Sequence, residues 1–240
     1  LDDLVRERFQ LKETIVTITA QKRDQIEAAK EAIAFQRALL EEFIRGDPFF
    51  VLTLEPYDRA IEKAPQIVRD MARAGAAVGI GPMSAVAGTI AKFALDAMIE
   101  AGATFAIIDN GGDVALACDR PVLMGIYAGS SPLKDLAFEI QPRKRPSGIC
   151  TSSGTVGPSI SFGYADAAIV VSEDVSLADA AATALGNAVG VDSPLAEAFE
   201  AVNKPGISGA MVIKGEEMAL WGELPPLRRA NLRPDLITRG

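Results

Sequence analysis

Asp179 and Thr183 stand four residues apart in the otherwise apolar run from Leu177 to Leu185. On a helix that spacing sets both on one face. A carboxylate beside a hydroxyl is a hard-oxygen donor set, suited to Mg²⁺ that keeps water and a substrate phosphate as its other ligands. The same residues also fit a helix start: with Ser176 as N-cap, Asp179 falls three later, a capping-box pattern with an acid favoured by the helix dipole. Both readings stay open.

A second group of polar residues runs from Gly148 to Ser159, with one thiol, five hydroxyls, three glycines and no charge. Gly, Ser and Thr compete with helical bonding, so the run is expected to be a loop. Within it, Cys150, Thr151, Ser152, Ser153 and Gly154 are candidates to grip a ligand, the amides and hydroxyls cradling a phosphate as glycine-rich nests do. Asn110, Gly111, Gly112 and Asp113 are expected to close the same pocket, although Asn-Gly-Gly-Asp is equally what a tight hairpin demands. No Gly-Lys-Ser/Thr follows the hydroxyl run, and Gly79-Ile80-Gly81 lacks the third glycine of a dinucleotide fingerprint. Cys150 or Ser152 has no histidine to activate it, and nothing in the spacing brings Lys92 near as a substitute base.

The elements that would carry these residues alternate between hairpins and helices. Phe9 to Ala20 reads as one strand, and Asp24 to Gly46 as a long amphipathic helix. Phe49 to Leu54 reads as extended and Ile67 to Ala74 as a short helix. Pro82 opens a small-residue helix ending at Gly102, buried and able to accept another backbone closely. Strands are expected at Phe105 to Ile108, Val114 to Cys118, Val122 to Tyr127 and Leu136 to Ile140, then a basic turn, Pro142 to Pro146. Ala165 to Val171 is a strand, Ser176 to near Gly190 a helix, and Asp192 to Val202 a short helix. Gly209 to Ile213 and Met218 to Trp221 pair around Lys214-Gly215-Glu216. A proline-rich tail with Arg228, Arg229, Arg233 and Arg239 wraps the surface or a neighbouring subunit.

The class is α+β with mostly antiparallel sheets, in two loosely matched halves built on the helices Ser84 to Ala101 and Ser176 to Val189. One domain, 1–240, is expected, with a strand-helix unit at 8–46, a core at 76–222 and a tail at 225–240.

At 240 residues and 49% apolar, the chain can bury a full core. A net charge of −8 argues against a nucleic-acid surface. Histidine is absent, which removes the commonest general base and zinc ligand. Cys118 and Cys150 make no disulfide framework. No apolar run is expected to reach the ~18 residues of a membrane span. A cytoplasmic location is expected, a trimmed leader staying open because no Met begins the sequence.

Three of these motifs, in order, carry a resemblance. Gly102 to Asp113 resembles the stretch of ApbE-type flavin transferases in which a helix ends at glycine, a strand follows and Gly-Gly-Asp closes it. Ser153-Gly154 is similar to their Ser-Gly step after a threonine. Ala178-Asp179 with Thr183 is similar to their Ala-Asp-x-x-x-Thr helix, which supplies Mg²⁺ ligands in that family. The matches span Ser84 to Gly190, and Gly79 to Gly88 also looks like part of an uncharacterised family allied to ApbE. The resemblance implies a T-fold-related architecture, FAD or FMN as ligand, and Mg²⁺-assisted transfer of FMN through its phosphate to a threonine of a target protein. The chain departs from that pattern where the family's lysine falls at Ala87, beside the matching Gly88. Ser159-Ile160-Ser161-Phe162-Gly163 stands where the family has His-x-x-Asp-Pro.

Two functions are therefore expected to compete. One is a Mg²⁺-dependent transfer or hydrolysis of a phosphate ester, FMN transferase-like or FAD pyrophosphatase-like, with Asp179 and Thr183 as metal ligands. The other is a non-catalytic module on the same scaffold. Either takes a small phosphorylated ligand, and a homo-oligomer is open.

Overall fold

The computed structural model of the chain describes residues 3–129, 131–154, 163–231 and 238. Thr155 to Ser159 of the hydroxyl run, Ile160 to Phe162, and Arg233 and Arg239 of the tail lie outside the described residues.

The chain opens with a hairpin, β1 (Val5–Leu11) against β2 (Thr14–Ala20). The single strand expected over Phe9 to Ala20 is thus two. Lys12 turns the chain with φ of 54°, a left-handed conformation that no Gly or Asn announces. Helix α1 (Arg23–Gly46) follows, then a single helical turn, α2 (Phe49–Leu52), in place of the expected extended segment. Helix α3 (Gln66–Val78) runs further than its sequence pattern, to Gly79 in the left-handed region. A 3₁₀ turn, Pro82–Ala85, leads into α4 (Val86–Glu100).

Strands β3 (Ala106–Asn110), β4 (Asp113–Cys118), β5 (Val122–Gly125), β6 (Leu136–Ile140), β7 (Arg143–Ser152) and β8 (Ala167–Ser172) come next. Helix α5 (Val175–Ala188), a 3₁₀ segment (Leu195–Ala201), β9 (Ile207–Lys214), β10 (Glu217–Gly222) and β11 (Leu227–Arg229) complete the described elements.

All described strand pairings are antiparallel. The main sheet has eight strands in the order β1-β2-β3-β4-β7-β8-β9-β10, and a small sheet has β11-β6-β5. The eight-stranded sheet divides at β4/β7. On either side of that seam a strand pair is followed by helix and then a second strand pair. The α+β class and the matched halves are both present.

Helices cover one face of the large sheet, packing on Ile18, Ile108, Ala115, Cys150 and Val170. The small sheet covers part of the other, with Phe138 and Ile140 against Val114, Ile149, Ile169 and Met211. A strand covered on both faces must be apolar on both, and every residue of β8 is buried. The tail folds back on its own chain, β11 pairing with β6.

Two further expectations change. Arg143 to Pro146 is not a turn but the first part of β7, and Gly148 to Ser152 is not a loop but the inner part of that strand, paired to β4 and β8. Ladder bonds on both edges outweigh the weak strand preference of Gly and Ser. Gly148 is there because α5 presses on it: a Cβ would lie 2.7 Å from Val175 Cα and 3.0 Å from Ala178 Cβ.

Against the expectation that no apolar run is long enough, the segment Pro82–Glu100 is, by length and composition, apolar enough to cross a membrane. Half of it is buried, as expected of the central helix of a folded core.

Candidate functional site

The β3–β4 turn meets the N-terminal part of α4 and the middle of α5 on the helical face of the sheet. Gly111 and Gly112 take φ of 69° and 105°, so the two-residue turn needs residues free of a Cβ. Asp109 Oδ1 accepts the Gly112 N–H at 3.0 Å, and the Gly112 carbonyl accepts the Thr151 N–H at 3.2 Å. The hairpin reading of Asn110-Gly111-Gly112-Asp113 therefore holds. The four residues make the hairpin, and the hairpin carries two of their side chains to the site.

Asn110 is buried and donates from Nδ2 to the Ala87 carbonyl at 2.9 Å. Asp113 faces Cys150 across the β4–β7 ladder. Asp179, 6% exposed, accepts the Gly88 N–H at Oδ2 at 2.7 Å. Asp113 lies near enough for the two carboxyls to influence each other.

Gly88 makes this approach feasible. A Cβ there would lie 2.6 Å from Asp179 Cβ and 2.9 Å from the Val175 carbonyl oxygen. One residue on, Thr89 Oγ1 bonds Ser176 Oγ at 2.9 Å, a second polar tie between α4 and α5. Ser176 is thus not the N-cap. Asp174 is, accepting the N–H groups of Ser176 and Leu177 at 3.1 and 3.3 Å. The capping-box reading of Asp179 falls with it: its carboxylate reaches across to α4 instead.

Burial pushes both carboxyls up. Asp179 rises to about 7, chiefly through loss of water, with the Gly88 N–H holding it back. Asp113 rises well above the carboxylate range, through burial first and then the negative charge of Asp179. Two carboxyls this near each other cannot both ionise freely, so the pair retains a proton near neutrality. The Cys150 thiol is also pushed well up by burial and by both carboxylates. It stays protonated, with Sγ 3.8 Å from the Val175 carbonyl oxygen, and is not an activated nucleophile.

The other expected residues divide. Thr183 lies one turn beyond Asp179 on α5, half-buried. Ser152 is buried and alternates with Cys150 along β7, on the helical side; Thr151 pairs with Ile169, on the opposite face. The Gly154 N–H is bound to the Ala165 carbonyl at 3.0 Å, and that of Thr151 to Gly112. Two amides of the expected phosphate cradle are therefore engaged within the protein. Lys92 does not reach the site: its Nζ is 2.6 Å from Asp70 Oδ2.

Thr89 is marked by no motif in the sequence, and Ala87 and Gly88 are marked only by the resemblance. The run of small residues in α4 allowed a close backbone but did not say whose. Among the described residues no group of three or more His, Cys, Asp and Glu is arranged to hold a metal.

The family described as "AbpE bacteria" matches residues 2–216. A UPF0280 protein of Methanothrix thermoacetophila is 56% identical over 237 residues, covering 99% of this chain and 100% of the relative. Another, of Methanosarcina barkeri, is 58% identical and covers 98% and 93%. Among solved structures, apo flavinyl transferase ApbE of Pseudomonas stutzeri aligns with a TM-score of 0.56 at 11% identity, over 99% of this chain and 98% of that one. A variant of the Vibrio cholerae flavin transferase ApbE aligns at 0.50 and 11% over 91% and 96%. At such identity the likeness is one of fold, and the fold is ApbE-like. The match over residues 2–216 and the full-length relatives establish that the chain belongs to the AbpE bacteria family, alongside the UPF0280 proteins.

Proposed function

We propose that this protein binds a small phosphorylated ligand, flavin- or nucleotide-like, with Mg²⁺ at the Asp113–Asp179 pair, and transfers or hydrolyses its phosphate ester. The observation that carries the reading is the pair itself: two buried carboxyls from different elements, Asp113 on β4 and Asp179 on α5, set close enough to repel. A divalent cation relieves that repulsion. The donor set fits Mg²⁺, which takes one or two carboxylates and fills its remaining positions with water and phosphate. Cys150 is too soft to be its ligand and would stay outside the coordination sphere. Thr183 would add a neutral oxygen from the same helix face.

When bound, the cation would neutralise charge on the phosphates. The chain's own part is to hold Asp179 on the Gly88 N–H and to hold Asn110 on the Ala87 carbonyl. The ApbE-like fold supports a flavin-type ligand, since both structural relatives are named as flavin transferases.

A second reading, binding without turnover, is supported by one observation. The chain has no histidine, and Lys92 is tied to Asp70, so neither supplies a base at the pair. Incubation with FAD and Mg²⁺, following release of AMP or FMN, separates the two. Turnover in the parent that is lost in Asp179→Asn is the expected result. Ligand- and Mg²⁺-dependent stabilisation without turnover replaces it with the binding module, and no response to either removes both.

A further inference from the structure

Thr238 lies 221 residues from Thr17 in sequence, yet its Oγ1 is 2.7 Å from Thr17 Oγ1 and 2.6 Å from Asp109 Oδ2. Thr17 and Asp109 are themselves ladder partners on β2 and β3. Thr238 and Thr17 are 7% and 8% exposed, so water is a poor substitute partner for either hydroxyl. A hydroxyl has one proton to donate. With the Asp109 carboxylate as acceptor, Thr238 must donate to Asp109 and accept from Thr17. The other Asp109 oxygen accepts the Gly112 N–H at 3.0 Å. The relay thus runs from the Thr17 hydroxyl through Thr238 and Asp109 to the backbone of the glycine turn.

That turn needs a brace. Gly111 and Gly112 are consecutive residues at positive φ, the least constrained backbone an L-chain can offer. Asn110 and Asp113 flank them, and a site demands placement to within about 0.5 Å. Burial raises the Asp109 carboxyl above its ordinary range, which the Thr238 hydroxyl and the Gly112 N–H oppose.

We propose that Thr238 is a positioning residue: by fixing Asp109 it fixes the Gly111-Gly112 turn, and so sets Asn110 on Ala87 and Asp113 against Asp179. What that geometry is used for rests on the proposed function, but the brace itself does not.

Amide hydrogen exchange on the full chain, in the absence of metal, tests it with Thr238→Val, Thr238→Ser and Asp109→Asn. Val preserves shape and removes the hydroxyl, leaving Thr17 and Asp109 without it. Exchange at Gly112 and Thr151 should then quicken by about tenfold, roughly the ratio that loss of one buried hydrogen bond implies. Thr238→Ser should stay within about twofold of the parent, Asp109→Asn should quicken Gly112, and the β9–β10 amides should be unmoved in all three. Unchanged exchange at Gly112 in Thr238→Val overturns the proposal. So does equal quickening at β9–β10, or a serine variant that behaves like valine. If the parent shows no Mg²⁺ response, the proposed function fails while this exchange result stands on its own.

Discussion

Two buried carboxylates in the helical layer are treated in opposite ways. Asp70 on α3 is 1% exposed and fully accompanied: Gln66 Nε2 at 2.7 Å, Lys92 Nζ at 2.6 Å and Arg73 at 3.1 Å. Asp179 on α5 is also buried, but it has the Gly88 N–H and another acid, Asp113. Where the fold needs a buried charge only to tie helices together, it supplies the counter-charges. At the hairpin it sets two acids against each other and tolerates the repulsion, which is the feature the proposed function rests on.

The comparison breaks most visibly at Asp70. Asp70→Asn strands Lys92 and should cost stability towards the lower end of about 3–5 kcal/mol, because Lys92 is partly exposed. Urea unfolding measures it. Asp179→Asn, in the absence of divalent cations, should cost nothing or stabilise. Equal losses in the two variants would erase the distinction.

Gly88→Ala tests whether the acid pair depends on close helices. The new Cβ would meet Asp179 Cβ at 2.6 Å and backbone at 2.9 Å, so α4 and α5 must part. A loss of roughly 1–3 kcal/mol is expected, against under about 0.5 for Gly→Ala at exposed Gly46, which has nothing within 4 Å.

pH sharpens the contrast further. Asp179 has a folded pKa of about 7, above its unfolded value near 3.8, so the folded state binds more protons between them. Stability from this group is therefore whole below the unfolded pKa and falls as pH rises towards about 7. Each pKa unit is worth about 1.4 kcal/mol. Thermal melts from about pH 4.5 to 7.5 should show the parent losing on the order of 3 kcal/mol more than Asp179→Asn.

Much of this was legible before any coordinates. The helix from Asp24 to Gly46, the strands around Ile108 and Val170, and the small-residue helices follow from periodicity and end signals. The convergence of Asp113, Cys150 and Asp179 was legible through the order of short motifs. Gly148 to Ser152 was not: its composition says loop, and only β4, β8 and α5 together make it an inner strand. Ser176 was misplaced because two hydroxyl or acid residues, Asp174 and Ser176, compete for one cap. Nothing local says that Thr89 claims the serine. The Thr17–Thr238–Asp109 relay is a contact between the two ends of the sequence, beyond any local pattern.

The central claim, that the acid pair awaits a divalent cation, is tested most directly by counting protons. Calorimetric titration of Mg²⁺, with a phosphorylated ligand such as FMN present, is run near pH 6.5 in two buffers of different ionisation enthalpy. Binding should displace the proton shared by Asp113 and Asp179, releasing about one per cation. Asp113→Asn and Asp179→Asn should bind weakly and release almost none. Mg²⁺ binding with no proton release, or the same titration in parent and Asp179→Asn, would contradict the account.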